Sequence, residues 1–219
     1  MSRIAIIGGH GKVALRLSRL LVQEGNEVTS FFRNPEHADD VRETGATPVV
    51  LDVEESSTAE IAEQIAGHDA LVWSAGAGGG NPKRTYAVDR DAAIRSMDAA
   101  EQAGVRRYVM VSYLGSSKEH GVPEDSSFFP YAEAKAAADD YLRSTNLSWT
   151  ILGPGRLTEE EPSGKIRVDP DKNTPDSDTS RGNVARVAAA VLAEPRTIGK
   201  TIDFIDGDTP IAEAIVSTR

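Results

Sequence analysis

The sequence predicts an α/β fold: a doubly wound, mostly parallel sheet with helices on both faces. Three observations predict it. Short apolar runs rich in β-branched residues, the pattern of strands buried on both faces, alternate with longer stretches whose apolar residues recur every three to four positions. The first run, residues 4–7, stops at Gly8, Gly9 and Gly11, where a helical period opens through Val13, Leu17, Leu20 and Leu21. The length, 219 residues, suits one sheet with its covering helices and leaves little room for a second unit.

The order strand, glycine turn, helix gives the glycines their meaning. Gly9-x-Gly11-x-x-Ala14 matches the spacing of a dinucleotide-binding turn, and Gly8-x-x-Gly11-x-x-Ala14 overlays it. Glycine allows positive φ at the turn and lets a pyrophosphate approach the backbone, while Ala14 lets the helix pack closely on the strand. The free N–H groups and dipole of the helix start face an anion. Gly8, Gly9, His10, Gly11, Lys12 and Val13 are therefore candidate phosphate-binding residues of a Rossmann-like fold; an ordinary glycine-rich βα turn has the same local pattern.

Composition narrows the classes. With 24 Lys+Arg against 34 Asp+Glu the net charge is −10, which disfavours sequence-independent attraction to nucleic acid or an anionic membrane surface. The absence of cysteine excludes disulfides and thiolate chemistry. The four histidines, His10, His37, His68 and His120, lie far apart without ligand spacing, so no metal site is expected. The apolar stretch at the start is too short for a signal h-region or a membrane span, and the expected location is cytoplasmic.

The second strand, 27–32, follows a helix stop at Gly25-Asn26 and ends at Arg33-Asn34-Pro35. An acid at this strand end bonds the ribose 2′-OH of NAD, whereas an arginine accommodates the 2′-phosphate of NADP. Arg33, with Lys12 as a second cation, points to NADP, with NAD possible; a solvated loop arginine is the alternative. The third strand, 46–51, ends at Asp52-Val53, which suit either an adenine-edge contact or a helix cap. A helix over 59–66 and a fourth strand over 69–73 lead to 74–80, so poor in side chains that its backbone must approach something closely. Ser74, Ala75 and Gly76 are thus candidates to line a ribose or nicotinamide, before a helix over 86–103.

The fifth strand, 107–111, ends at Ser112, and a polar loop leads to Tyr131 and Lys135. Four apart on a helix, they share a face. A lysine beside a phenol lowers the tyrosine pKa toward neutrality, which suits a general acid for carbonyl reduction. The segment 170–178 reads as a mobile loop at the carboxyl edge; a helix over 183–192, a strand over 201–205 and a helix over 210–216 close the chain.

GGHGKVA, FFRNPEH, LDV, WSAGAGGG, YVMVSYLG, YAEAK, TNLSWTILGPGRLTEE, SGKIRV and GDTPIAEAI together resemble the atypical short-chain dehydrogenases/reductases, in particular their compact NAD(P)H-binding, sugar-epimerase-like bacterial branch often grouped with nitrogen-regulator-like proteins. The resemblance spans nearly the whole chain. It implies an NAD(P) cofactor, Tyr131 as acid/base, Lys135 on the nicotinamide ribose, and Pro154-Gly155 covering the nicotinamide. Three departures stand out. Tyr113-Leu114 occupy the place of the extended members' catalytic serine, leaving Ser112 at the strand end as the candidate. Asn183 replaces the usual aspartate before its helix and is expected to cap it, and the chain is short for the sugar-nucleotide domain of true epimerases. The expected activity is NADPH-dependent reduction of a small carbonyl or quinone-like compound, with segments near 113–130 and 155–180 covering the substrate. A non-catalytic NAD(P) sensor is the alternative, and nucleotide-sugar isomerisation the weaker third. Expected partners are a small-molecule substrate, with no nucleic acid and no membrane, in a monomer or homodimer.

Overall fold

The computed structural model describes residues 1–78, 80–171 and 177–217. Its elements begin β1 (Arg3–Ile7), α1 (Lys12–Gln23), β2 (Glu27–Phe32), α2 (Ala38–Arg42), β3 (Thr47–Val50), α3 (Thr58–Ile65) and β4 (Ala70–Trp73). A long helical stretch follows: α4 (Pro82–Thr85), a π-helical segment (Tyr86–Ala92) and α5 (Ala93–Ala103). Then come β5 (Arg107–Val111), α6 (Phe129–Ser144), β6 (Ser148–Pro154), β7 (Arg156–Thr158), β8 (Lys165–Val168) and β9 (Asp178–Ser180). The chain closes with α7 (Arg181–Ala193), β10 (Lys200–Asp206), β11 (Thr209–Pro210) and α8 (Ile211–Ser217).

The sheet order is β11-β8-β10-β6-β5-β4-β1-β2-β3. Strands β3 through β10 in that order are parallel, while β8 joins β10 and β11 joins β8 in antiparallel sense. The strand order reverses between β1 and β4, where ligands bind in such sheets. Alternation along each strand divides the core. Ile4, Ile6, Val72, Val109 and Leu152 pack with Val13 and Leu17 of α1 and Val184 and Val187 of α7. Ala5, Ile7, Leu71, Trp73 and Ile151 pack on the other face with Ile61 of α3, Met97 of α5 and Leu142 of α6. The doubly wound, mostly parallel sheet with helices on both faces is what the sequence pattern predicts.

Local signals account for the helix ends. α3 starts in a capping box, the Ser57 hydroxyl accepting from Glu60 N–H while the Glu60 carboxylate accepts from Ser57 N–H. α5 ends at Gly104, whose φ of +73° costs glycine no Cβ clash. Several elements escape the periodicity: α2 is a single short turn, β7 pairs with β9 outside the main sheet, and β8 and β11 add the antiparallel edge. Residues 172–176 of the segment read as a mobile loop lie outside the described residues.

Asn183 is not the cap of α7. Ser180 is, its hydroxyl accepting from Asn183 N–H at 3.1 Å. Asn183 lies inside the first turn, fully buried, and its side chain crosslinks three segments: it accepts from Gly164 N–H at 2.9 Å and donates to Ser163 Oγ, Lys165 O and the Asp206 carboxylate. Replacing it by Leu preserves volume but strands the half-buried Gly164 N–H and Asp206 carboxylate, each costing about 1–3 kcal/mol when shut off from water, while Ser163 and Lys165 are exposed. Urea unfolding of Asn183→Leu is expected to show a loss of about 3 kcal/mol, whereas a loss under about 0.5 kcal/mol would mean that solvent satisfies these groups.

Candidate functional site

The site begins at the glycine turn. Gly8 has φ +83°, and a Cβ there would lie 2.5 Å from the Ala75 backbone. The N–H groups of Gly8 and Gly9 both donate to the Phe31 carbonyl, at 3.0 and 2.8 Å. A Cβ on Gly9 would come within 2.5 Å of Ser30 Cβ. These two glycines therefore let the turn pack against β2 and the loop after β4. Gly11 differs: it is the N-cap of α1, and the nearest atoms to a Cβ there are carbonyl oxygens of Gly8 and Ser74 at 3.1 and 3.6 Å. No side chain caps α1 and its first turn holds no acid, so its leading N–H groups have no intrahelical acceptor.

Two cavities meet at this turn. The first, about 270 Å³, is lined by Gly8, His10 and Gly11, by Arg33 after β2, by Asp52 and Val53 after β3, and by Ser74, Ala75 and Gly76. The second, about 310 Å³, is lined by Gly11, Lys12 and Val13, by Ser112 and Tyr131, and again by Ser74, Ala75 and Gly76. Gly11 and the backbone of 74–76 thus form a shared wall, with the uncapped helix start between the two halves. A third cavity, about 460 Å³, holds Pro154 and Gly155 together with Tyr113, His120 and Phe128. Two rooms joined at an uncapped helix start fit a dinucleotide, whose diphosphate supplies the missing acceptor. Of the candidate residues, Gly9 and Lys135 line none of these cavities.

The first cavity is more acidic than Arg33 alone suggests. Arg33 Nη1 lies 3.6 Å from the Glu54 carboxylate. Arg84 Nε lies 3.1 Å from the same oxygen, and Arg84 Nη1 donates to the Ala77 carbonyl at 2.5 Å. Asp52 closes its own turn by accepting from Glu54 N–H at 3.1 Å and does not cap α3. His10 and His37 stack with centroids 3.6 Å apart, and His10 Nε2 is 2.8 Å from the Asp40 carboxylate. Lys12 is no second cation for this cavity. Its ammonium donates to Glu159 at 2.7 Å on the other side of the turn, where Arg16 and Arg181 join the same carboxylate at 3.0 and 3.1 Å. These three cations hold the Glu159 carboxyl below its ordinary range, the Lys12 hydrogen bond foremost.

Behind the second cavity lies a buried charge cluster. Tyr131, Lys135 and Asp139 follow at four-residue intervals on α6, with Lys135 and Asp139 essentially sealed from solvent. Lys135 Nζ donates to the Val111 carbonyl at 2.9 Å and faces Met110 Sδ at 3.2 Å. The expected lowering of the tyrosine pKa by Lys135 is overturned: burial raises Tyr131, and the negative charges of Asp89 and Asp139 raise it further. Burial in turn lowers Lys135, which Asp139 and Asp89 oppose, and burial raises both of those carboxyls. The Ser112 hydroxyl donates to Asp139 Oδ2 at 2.5 Å, and Ser116 donates to the same oxygen at 2.6 Å. Asp139 Oδ1 is buried without a partner among the described residues.

Asp89, Asp139, Glu54 and Arg84 are site residues that the sequence reading missed. Asp89 sits in the π-helical segment, where the extra residue per turn rotates it inward; its carboxylate accepts from Ala77 N–H at 3.1 Å and braces the loop after β4. Burial is the leading cause of its raised pKa. Asp139 could have been found, since it continues the four-residue spacing of Tyr131 and Lys135. Glu54 and Arg84 meet across thirty positions of sequence, a contact no local pattern announces. Among the described residues no cluster of three metal-ligating side chains occurs, and no helix is long and apolar enough to cross a membrane.

Comparison with known proteins agrees with this geometry. A Bacillus subtilis protein described as the uncharacterized sugar epimerase YhfK is 34% identical, covering 97% of this chain and 98% of its own. Among solved structures, a Bacillus halodurans protein with the provisional description NAD-dependent epimerase/dehydratase superimposes with a TM-score of 0.91 at 34% identity, covering 100% of both chains. The oxidoreductase ylbE from Lactococcus lactis superimposes at 0.86 with 31% identity, over 98% of this chain and 95% of its own. Residues 8–195, from the glycine turn to the end of α7, match the NAD(P)H-binding family, and the chain belongs to that family.

Proposed function

We propose that the protein is an NADPH-dependent oxidoreductase that reduces a small carbonyl or quinone-like compound, with Tyr131 as the proton donor. The observation that carries this reading is that Tyr131 lines the second cavity together with Gly11, Lys12 and residues 74–76. Arg33 on the first cavity supports NADPH.

A nicotinamide held in the second cavity would supply a hydride to the substrate carbon. The chain supplies the rest. The start of α1 and the glycine turn bind the diphosphate, and the 74–76 backbone, braced by Asp89, separates the two halves of the site. Tyr131 holds a proton on its phenolic oxygen throughout the neutral range, because burial and two nearby carboxyls oppose the phenolate. That proton passes to the oxygen of the reduced carbonyl as the C=O bond becomes C–O–H. The same field opposes loss of the proton, so the transfer is driven by the alkoxide left after hydride addition, and solvent returns a proton to the tyrosine. Ser112 borders the cavity, but its hydroxyl hydrogen is engaged by Asp139, so it acts in this account as a fixed wall. The third cavity, with Tyr113, Leu114, Phe128 and Pro154, opens beside the fifth and sixth strands and suits the substrate's apolar body.

A sensor reading draws support from one feature: Lys135 is turned to Val111 and Met110 and lines neither dinucleotide cavity. Tyr131→Phe separates the two. It keeps the ring and removes the proton, so the rate of NADPH oxidation with an accepted carbonyl compound is expected to fall about 10²–10⁴-fold. NADPH affinity is expected to stay within about twofold. Undiminished turnover by Tyr131→Phe contradicts the assignment of the acid; tight NADPH binding without turnover of any aldehyde, ketone or quinone favours the sensor. Gly11→Val tests the cradle. The added methyls project where the diphosphate meets the helix start, so dinucleotide binding should vanish while the circular dichroism spectrum stays that of the parent; normal binding by the folded variant contradicts the placement.

A further inference from the structure

We propose that Glu54 sets the choice between NADH and NADPH, an inference that rests on the dinucleotide reading above and adds a residue that is not the strand-end position. Glu54 lines the first cavity together with Arg33 and Arg84. Its Oε2 atom stands 3.1 Å from Arg84 Nε and 3.6 Å from Arg33 Nη1, so both cations already face one carboxylate. The two arginines and the glutamate carry a net charge of +1, half of what Arg33 and Arg84 would offer a phosphate without it.

The carboxylate is presented from a braced turn. Glu54 N–H donates to Asp52 Oδ1 at 3.1 Å. Arg95 on α5 donates through Nη2 to the carbonyls of Val53 and Glu54, both at 2.9 Å, and through Nε to the Ser56 carbonyl at 3.1 Å. Four hydrogen bonds fix the backbone on either side of Glu54, and its side chain is 21% exposed. Such a group cannot swing aside without giving up both arginines.

The chemistry of the two cofactors diverges at this point. A ribose with a free 2′-OH needs an acceptor, and a carboxylate is the strong one. The residue that follows β2 is Arg33, which has no acceptor atom, so Glu54 takes over the task that an acid at the strand end performs elsewhere. A 2′-phosphate meets the opposite situation: Arg33 and Arg84 attract it, and Glu54 both repels it and occupies the Nε hydrogen of Arg84. Arg33 alone therefore overstates the preference for NADPH. Glu54 tempers it and keeps NADH usable.

The test is a binding titration, independent of any substrate. The folded 219-residue protein and its Glu54→Gln variant are titrated with NADPH, NADH, 2′,5′-ADP and 5′-AMP. Glu54→Gln removes the charge at nearly constant shape, and the NADPH-to-NADH affinity ratio is expected to rise about tenfold or more, with the same shift between 2′,5′-ADP and 5′-AMP. Arg84→Met, which strips a cation from the same carboxylate, should move both ratios the other way, and Glu54→Ala provides the reading should Glu54→Gln not fold. A ratio unchanged within about twofold in Glu54→Gln, or a shift of Glu54→Gln toward NADH, overturns the role of Glu54 while leaving the dinucleotide site standing. Failure of the parent to bind any of the four nucleotides overturns the dinucleotide reading itself.

Discussion

The contact on which the site depends is backbone against backbone: the glycine turn after β1 pressed onto the loop after β4. Gly8 approaches Ala75 so closely that a Cβ would sit 2.5 Å from its main chain, and the positive φ of Gly8 turns the chain away from the strand. This crossing falls at the point where the strand order reverses. It places the uncapped start of α1 and the 74–76 backbone on a common wall, with a cavity on either side. The gap at the switch point is a consequence of winding a sheet in two directions, and the glycines keep it from being filled by side chains.

Around that wall the structure places buried charge. Asp89 holds the loop after β4 from inside a π-helical segment, and Asp139 holds the two serines that flank the turn after β5. Lys135 lies between these carboxyls in charge terms, its nitrogen anchored on Val111. Isolated, each of these groups would be costly to bury, and together they offset one another. They also keep Tyr131 a neutral phenol, a different electrostatic setting from that of a tyrosine activated by an adjacent ammonium.

The parallel strands, both helical layers and the glycine turn were legible in the sequence because they rest on local patterns: β-branched runs such as residues 4–7, the helical period from Val13, and glycines at a strand-to-helix junction. Membership of an NAD(P)H-binding family was legible from the same stretches, read together. What was not legible depends on contacts between distant segments. Arg33 was recognised by its place after β2, but the carboxylate facing it comes from the turn after β3 and the second arginine from α4. Lys12 was assigned to the wrong cavity because its partner, Glu159, is 147 positions away. The lysine of Tyr131-x-x-x-Lys135 was expected beside the phenol; helical spacing fixes a shared face but not where a long side chain ends, and the Val111 carbonyl captured it. Asn183 was expected to cap α7 and instead crosslinks its first turn, since Ser180 supplies the cap.

The central claim is that the start of α1 and the loop after β4 form one cradle for a dinucleotide. Amide hydrogen exchange with and without saturating NADPH tests it most directly, since it reports on backbone N–H groups at both places and needs neither a substrate nor a variant. Slowed exchange concentrated at residues 11–13 and 74–76, with smaller changes at the edge of the first cavity near Arg33 and Asp52, is the predicted result. Unchanged exchange at these residues, or protection confined to the third cavity around Tyr113 and Phe128, would contradict the account.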